Sequence, residues 1–316
     1  MVDYGYVLKG LRGLSRAGQV NAMAGHLGAA VVAGYLFGED NVGLPDEVHA
    51  GVQLELDRIL AGEEAIWFNQ KQAGVTIPEL FEPFPDEEPQ EDQIDTIAQA
   101  LDGNIATMHQ SGHNVIFASI AIRALRDHPA NTTPSVVSGV CRLIERFDGA
   151  TPGRGNLGKG KGWISGEHVR LSPENDFAPY ADIQAMIETT IDELIASASI
   201  HRQGFGGLHH LINHAAGLVE LSLLGYKDLA QKGLPAHHHH VRLLRHLPDL
   251  ESQVGPVDKA EHDPRTAVYW SQGGFRRDTA MLTHRVKTLY GFFTLARIAQ
   301  DEQKLENASD QLLYLM

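Results

Sequence analysis

Four stretches of this chain open on a histidine and then run in parallel. From His113 the chain reads HNVIFASIAIRALRDHPANTTPSVVSGVCRLIERF, and from His214 it reads HAAGLVELSLLGYKDLAQKGLPAHHHHVRLLRHL. Pro134 follows His113 by 21 residues and Pro235 follows His214 by 21; Val140 and Val241 share offset 27, Leu143 and Leu244 offset 30. A looser copy starts at His26, and a fourth, without the proline, at His284. Self-similarity at fixed offsets predicts one supersecondary unit used repeatedly, here helix, turn, helix. It also predicts a histidine at the start of the first helix of each unit, which makes these histidines candidates for a shared site.

The expected fold is therefore all-α: repeated helical hairpins packed as a curved or closed α/α array around a central cavity, in one domain over 1–316. Apolar steps of three and four support it, as in Val115, Ala118, Ile122, Leu125 and in Ile183, Ile187, Ile191, Leu194. They predict helices near 20–37, 46–61, 92–109, 113–127, 134–147, 179–199, 208–224, 226–232, 235–246, 279–299 and 301–315. Thr133-Pro134 and Ser172-Pro173-Glu174 read as helix-entry turns. No alternating strand pattern stands out. Two segments interrupt the helices. One is a Pro-rich acidic insertion at 74–93, expected to be a surface connection or lid; the other is a Gly/Lys-rich loop at 149–166.

A net charge of −14 argues against a nucleic-acid surface. The N-terminal sequence shows no secretory signal, and no run approaches the ~20 apolar residues of a membrane span, so a cytoplasmic protein is expected. A homo-oligomer is compatible with the sequence. Cys141 is the only cysteine, which excludes a disulfide framework or a thiolate zinc cluster. GRGNLGKG at 153–160 fits G-x-x-x-x-G-K, but Gly160 stands where a P-loop needs Ser or Thr, and the segment follows a predicted helix. NTP hydrolysis is not expected, although backbone N–H groups with Lys159 or Lys161 could meet an anionic group. No G-x-G-x-x-G follows a strand, so no tightly bound dinucleotide is expected; a transiently bound NADPH stays open.

His109 with His113 and His210 with His214 are spaced by four, which on a helix places both imidazoles on one face. The pairs make His109, His113, His210 and His214 candidate ligands for a divalent metal (Zn, Fe or Mn), with an acidic residue such as Glu220 completing the set. The alternatives are a metal-free pocket with histidines as acid and base, and histidines that only fix packing. In the run His237–His240, facing all round a helix, a structural or surface role is expected. Aromatics near the repeat starts (Phe117, Phe205, Tyr269, Trp270, Phe275, Tyr290, Phe292, Phe293) would be core or line an apolar pocket.

GFGGLHHLINHAAGLVELSLLG resembles the histidine-rich helix of the questin oxidase-like proteins. NAMAGHLGAAVVAGYLFG resembles their early histidine and its Ala/Leu-rich helix, and THRVKTLYGFFTLAR their closing H-x-x-K helix. The resemblance covers about a quarter of the chain. It implies a helical oxygenase-type fold acting on bulky aromatic, polyketide-like compounds, with His26, His210, His214, His284 and Lys287 as the positions to watch. With His113 from the repeat, these are the candidate catalytic residues. The expected function is an oxidoreductase acting on an apolar or aromatic small molecule. The alternatives are a metal-dependent hydrolase or lyase using the two HxxxH pairs, and a non-catalytic helical scaffold.

Overall fold

The computed structural model describes residues 1–64, 70–171, 173, 176–271 and 281–316. The expectations at Ser172, Glu174, Phe275 and positions 279–280 lie outside them. The chain is mostly α-helical. Helices α1 (Gly5–Val20), α2 (Gly25–Asp40) and α3 (Asp46–Leu60) are followed by the short α4 (Gln70–Ala73) and α5 (Ile77–Leu80). Next come α6 (Ile94–Asp102), α7 (His113–Asp127), α8 (Pro134–Glu145) and a hairpin of β1 (Arg154–Asn156) and β2 (Trp163–Ser165). The rest is α9 (Ile183–Ser197), α10 (Gly207–Leu223), α11 (Lys227–His246), α12 (Glu251–Val254), α13 (Ala267–Ser271), α14 (Met281–Ala296) and α15 (Glu302–Leu312). No helix among the described residues is long and apolar enough to cross a membrane.

The chain divides into two compact units, each built from separated stretches. Unit 1 comprises 1–101, 116–146 and 262–290; unit 2 comprises 102–115, 147–261 and 291–316.

In unit 1, α1 carries Val7, Leu11 and Leu14 on one buried stripe and lies against α2 and α8. Helix α2 is buried on nearly every side from Gly25 to Gly38, which suits its run of alanine, valine and leucine. The two helices meet backbone to backbone at Gly28, where an added Cβ would sit 2.3 Å from the Leu14 nitrogen and 2.7 Å from the Gly10 oxygen. Gly28→Ala is expected to cost about 1–3 kcal/mol or more, because neither backbone can yield. Gly43→Ala, where a Cβ would meet nothing within 4 Å, is the control. Equal urea midpoints for the two variants would contradict this contact.

Unit 2 packs α10 against α11 and α9. Its buried cluster includes Met108, Phe205, Leu211, Val241, Leu243, Leu244 and Leu247.

Five expectations need correction. The helix expected over 92–109 ends at Asp102, where Gly103 follows. The stretch before residue 20, given no helix, holds α1; its glycines at 5, 10, 13 and 18 lower helix propensity but permit close packing, which wins. Asn21 then breaks the chain in an extended conformation, its side chain accepting from the Met23 N–H, so α2 starts at Gly25 instead of 20. Pro235 does not end a helix: α11 runs through it, with Leu234, Ala236 and His237 buried on either side. The repeat register is not kept in structure either. His113 opens α7 and Pro134 opens α8, whereas His214 lies mid-helix in α10 and Pro235 lies inside α11.

The two interruptions are built, not loose. The Gly/Lys loop is an antiparallel hairpin pairing Arg154 with Ser165 and Asn156 with Trp163. No helix follows Gly160, so the P-loop arrangement is absent there. The acidic Pro-rich stretch is tied down through the Arg16 guanidinium, which donates to the carbonyls of Leu80, Glu82 and Pro83. Glu87 accepts from the Ser135 N–H at 2.8 Å.

Candidate functional site

Among its described residues unit 2 holds six buried histidines: His109, His113, His210, His214, His237 and His240. His113 is placed by a strained approach to α7, with Gln110 and Ser111 both at positive φ and Gly112 at φ 83°. The N–H groups of Gln110 and Ser111 donate to the carbonyls of Thr151 and Pro152, which fixes the bend. Gly112 must be glycine twice over, since a Cβ there would lie 2.6 Å from the His214 ring.

His113 and His210 form a facing pair. The Nδ1 of His113 contacts the Gln110 carbonyl, and the Nδ1 of His210 contacts the Gly206 carbonyl at 2.9 Å. A carbonyl only accepts, so each Nδ1 carries a proton, and in the neutral form of either ring Nε2 holds the lone pair. Those two Nε2 atoms lie 3.0 Å apart. Two lone pairs at that distance repel unless a proton or a cation lies between them. Ligand nitrogens ~2.1 Å from one metal ion are ~3.0 Å apart at a right angle and ~3.4 Å apart at a tetrahedral one. The pair therefore matches two adjacent positions of an octahedral ion. A backbone carbonyl on the far nitrogen of each ring is the usual support of a metal-bound imidazole. Phe147 stacks on His113 at 6.0 Å and closes one side.

The other two proposed ligands go elsewhere. His109 is not on a helix with His113, because the positive φ angles at 110 and 111 intervene. Its ring nitrogens are taken by Thr107 Oγ1 at 2.7 Å and the Ala150 carbonyl at 2.8 Å. The helical HxxxH geometry expected for 109 and 113 thus fails, while 210 and 214 do share α10. His214 Nδ1 faces His240 Nδ1 at 3.4 Å. His240 donates from Nε2 to the Phe205 carbonyl at 2.7 Å, so its Nδ1 accepts and His214 donates. That leaves the buried Nε2 of His214 with no hydrogen-bond partner among the described residues. Glu220, the suggested acidic partner, instead accepts from Thr294 and Arg297.

His237 and His240 were expected to be structural or surface residues. Both are fully buried, and the i,i+3 spacing on α11 is the signal that could have joined them. His237 donates from Nε2 to the Leu211 carbonyl and accepts at Nδ1 from the Tyr180 hydroxyl at 3.1 Å. Burial holds their pKa values at about 3 for His237 and about 4 for His240, helped by neighbouring imidazoles. It pushes His214 well below its usual value too. These three rings are neutral near pH 7.

Unit 1 assembles the remaining candidates, His26, His284 and Lys287. His26 comes from the start of α2, the other two from the first turns of α14. Lys287 Nζ touches His26 Nδ1. The His26 and His284 rings are 5.0 Å apart, and one nitrogen of each lies within 4.8 Å of the other. Phe117 stands edge-on to His26 at 5.6 Å and lies 6.0 Å from the Lys287 amine. Lys287 is fully buried, and desolvation draws its pKa down to about 7, with Glu64 pulling the other way. Glu64, a residue the sequence did not single out, accepts from the N–H groups of Leu282 and Thr283 at 2.9 and 2.7 Å. Desolvation raises its pKa and these bonds oppose the rise.

Comparison with protein-family models, with curated proteins and with solved structures returned no match.

Proposed function

We propose that this chain is a metal-dependent oxidoreductase of oxygenase type, acting on an apolar or aromatic, polyketide-like small molecule. The observation that carries the reading is the His113–His210 pair, with its Nε2 atoms 3.0 Å apart and both Nδ1 atoms anchored on backbone carbonyls. A right-angle bite between two imidazoles suits a six-coordinate iron better than a closed tetrahedral zinc site, and manganese would need added oxygen ligands. When bound, such an ion would supply the redox chemistry; the protein's part is to hold two neutral imidazoles in place and keep bulk water out. His26 and His284 offer a comparable buried pair in unit 1, with Lys287 beside them. Phe147 and Phe117 give each pair an aromatic wall, which fits a flat apolar substrate. The resemblance of the three histidine-bearing helices to questin oxidase-like proteins points the same way, as analogy.

The test is metal analysis of protein purified without a nickel column. Iron or manganese at about one equivalent per histidine pair is expected. His210→Ala and His284→Ala should each lose the equivalent held by its own pair while keeping the wild-type circular dichroism. Wild-type protein that holds no metal, and takes up neither Fe²⁺ nor Mn²⁺ anaerobically, would overturn the proposal. Stoichiometric zinc instead would favour the hydrolase or lyase alternative.

A further inference from the structure

The residues that hold the unit 1 cluster in register lie outside it. His284 and Lys287 are three apart on α14 and so share one face. Their height along that helix depends on where its first turn is anchored. The first N–H groups of a helix have no partner within it, and here Glu64 supplies one. Its carboxylate takes the N–H of Leu282 at 2.9 Å on one oxygen and the N–H of Thr283 at 2.7 Å on the other, and the Thr283 hydroxyl adds a further bond. Glu64 is buried at 3% exposure, so water cannot take over these bonds. Its negative charge sits at the positive end of the helix dipole and acts on the buried Lys287 amine. One buried side chain therefore ties down the backbone of the turn that carries His284 and Lys287 and acts on its electrostatic setting.

We infer that Glu64 is a positioning residue for the His26–His284–Lys287 cluster, acting through a bidentate cap on α14. This deepens the metal-dependent reading, resting on it for the cluster's purpose though not for its geometry.

Two readouts separate the inference from that reading. The first is ¹⁵N NMR of histidine-labelled protein, following the His26 Nδ1 resonance, since Lys287 touches that atom. In Glu64→Ala it should move by several ppm, with circular dichroism unchanged. Glu64→Gln, which keeps an accepting oxygen but not the charge, should move it partway. The second is titration of metal-free protein with Co²⁺, read by its visible absorption. Affinity should fall at least tenfold in Glu64→Ala and less in Glu64→Gln. An unmoved His26 resonance in a folded Glu64→Ala protein overturns the inference, whatever the Co²⁺ result. A moved resonance in protein that binds no Co²⁺ sustains it and counts against the metal instead. Should Glu64→Ala fail to fold, Glu64→Gln alone decides by the same resonance.

Discussion

Between pH 6.5 and pH 5 the protein is expected to lose about 3 kcal/mol of stability through two buried histidines. The sign follows from where the protons go. Unfolded, His237 and His240 titrate near the ordinary imidazole value of ~6.5. Folded, burial holds them at about 3 and about 4. Below pH 6.5 the unfolded chain therefore binds protons that the folded chain refuses, and stability falls as pH falls. The loss continues until the folded values are reached. Each group's slope rises from about 0.7 kcal/mol per pH unit at pH 6.5 toward about 1.4 below it, so each contributes about 1.5 kcal/mol by pH 5. His214, displaced in the same direction, adds to the slope. A loss of this size is a large part of the 5–15 kcal/mol typical of a folded domain, so acid unfolding should begin well above the carboxylate range. Urea midpoints at pH 7, 6 and 5 measure it. His237→Gln removes one titrating group and should flatten the curve by about one proton's worth. If the variant is as steep as the wild type, the acid sensitivity comes from elsewhere.

The histidines show how far sequence reasoning reached. The stripe in Val115, Ala118, Ile122 and Leu125 is a property of neighbours three and four apart, so α7 could be read directly. The close fit of α1 on α2 is not local: it depends on Gly28 meeting Leu14, and composition shows only glycines that argue against a helix. The repeat pointed to histidines worth watching, yet the structure sorts them by backbone detail that a repeat does not encode. His113 turns toward His210 because residues 110–112 take positive φ, and the same bend removes His109 from the helix it was expected to share. Glu64 was invisible for a different reason. Its partner Leu282 is 218 residues away, and an acidic residue after a helix looks like any solvated carboxylate. His237 and His240 cannot be told from their neighbours in the sequence, because four consecutive histidines face all round a helix and a structural or surface role fits each. Only the packing of α11 on α10 distinguishes the buried pair from its two neighbours.

The same dependence on distant partners sets the last expected result. Arg285, next to His284 on α14, is 2% exposed and donates to Glu55 of α3 at 2.6 Å. Arg58 donates to the other oxygen of that carboxylate at 2.8 Å. Water cannot solvate the guanidinium there, so its charge leans on the Glu55 carboxylate. Glu55→Ala takes that carboxylate away from a buried charge and should cost about 3–5 kcal/mol. The exposed pair Arg126–Asp95 makes a similar contact at 2.5 Å, yet Asp95→Ala should cost no more than about 1 kcal/mol, because solvent screens it. The stability of Glu55→Ala should also recover when Arg285 is replaced by methionine, since removing both charges removes the desolvation cost along with the attraction. Denaturant unfolding of the two single variants and the Glu55→Ala/Arg285→Met double variant gives the comparison. A double variant as unstable as Glu55→Ala would mean that shape at Arg285, not charge, holds α14 to α3. In that case the neighbouring His284 would owe its place to packing as well as to the cap at Glu64.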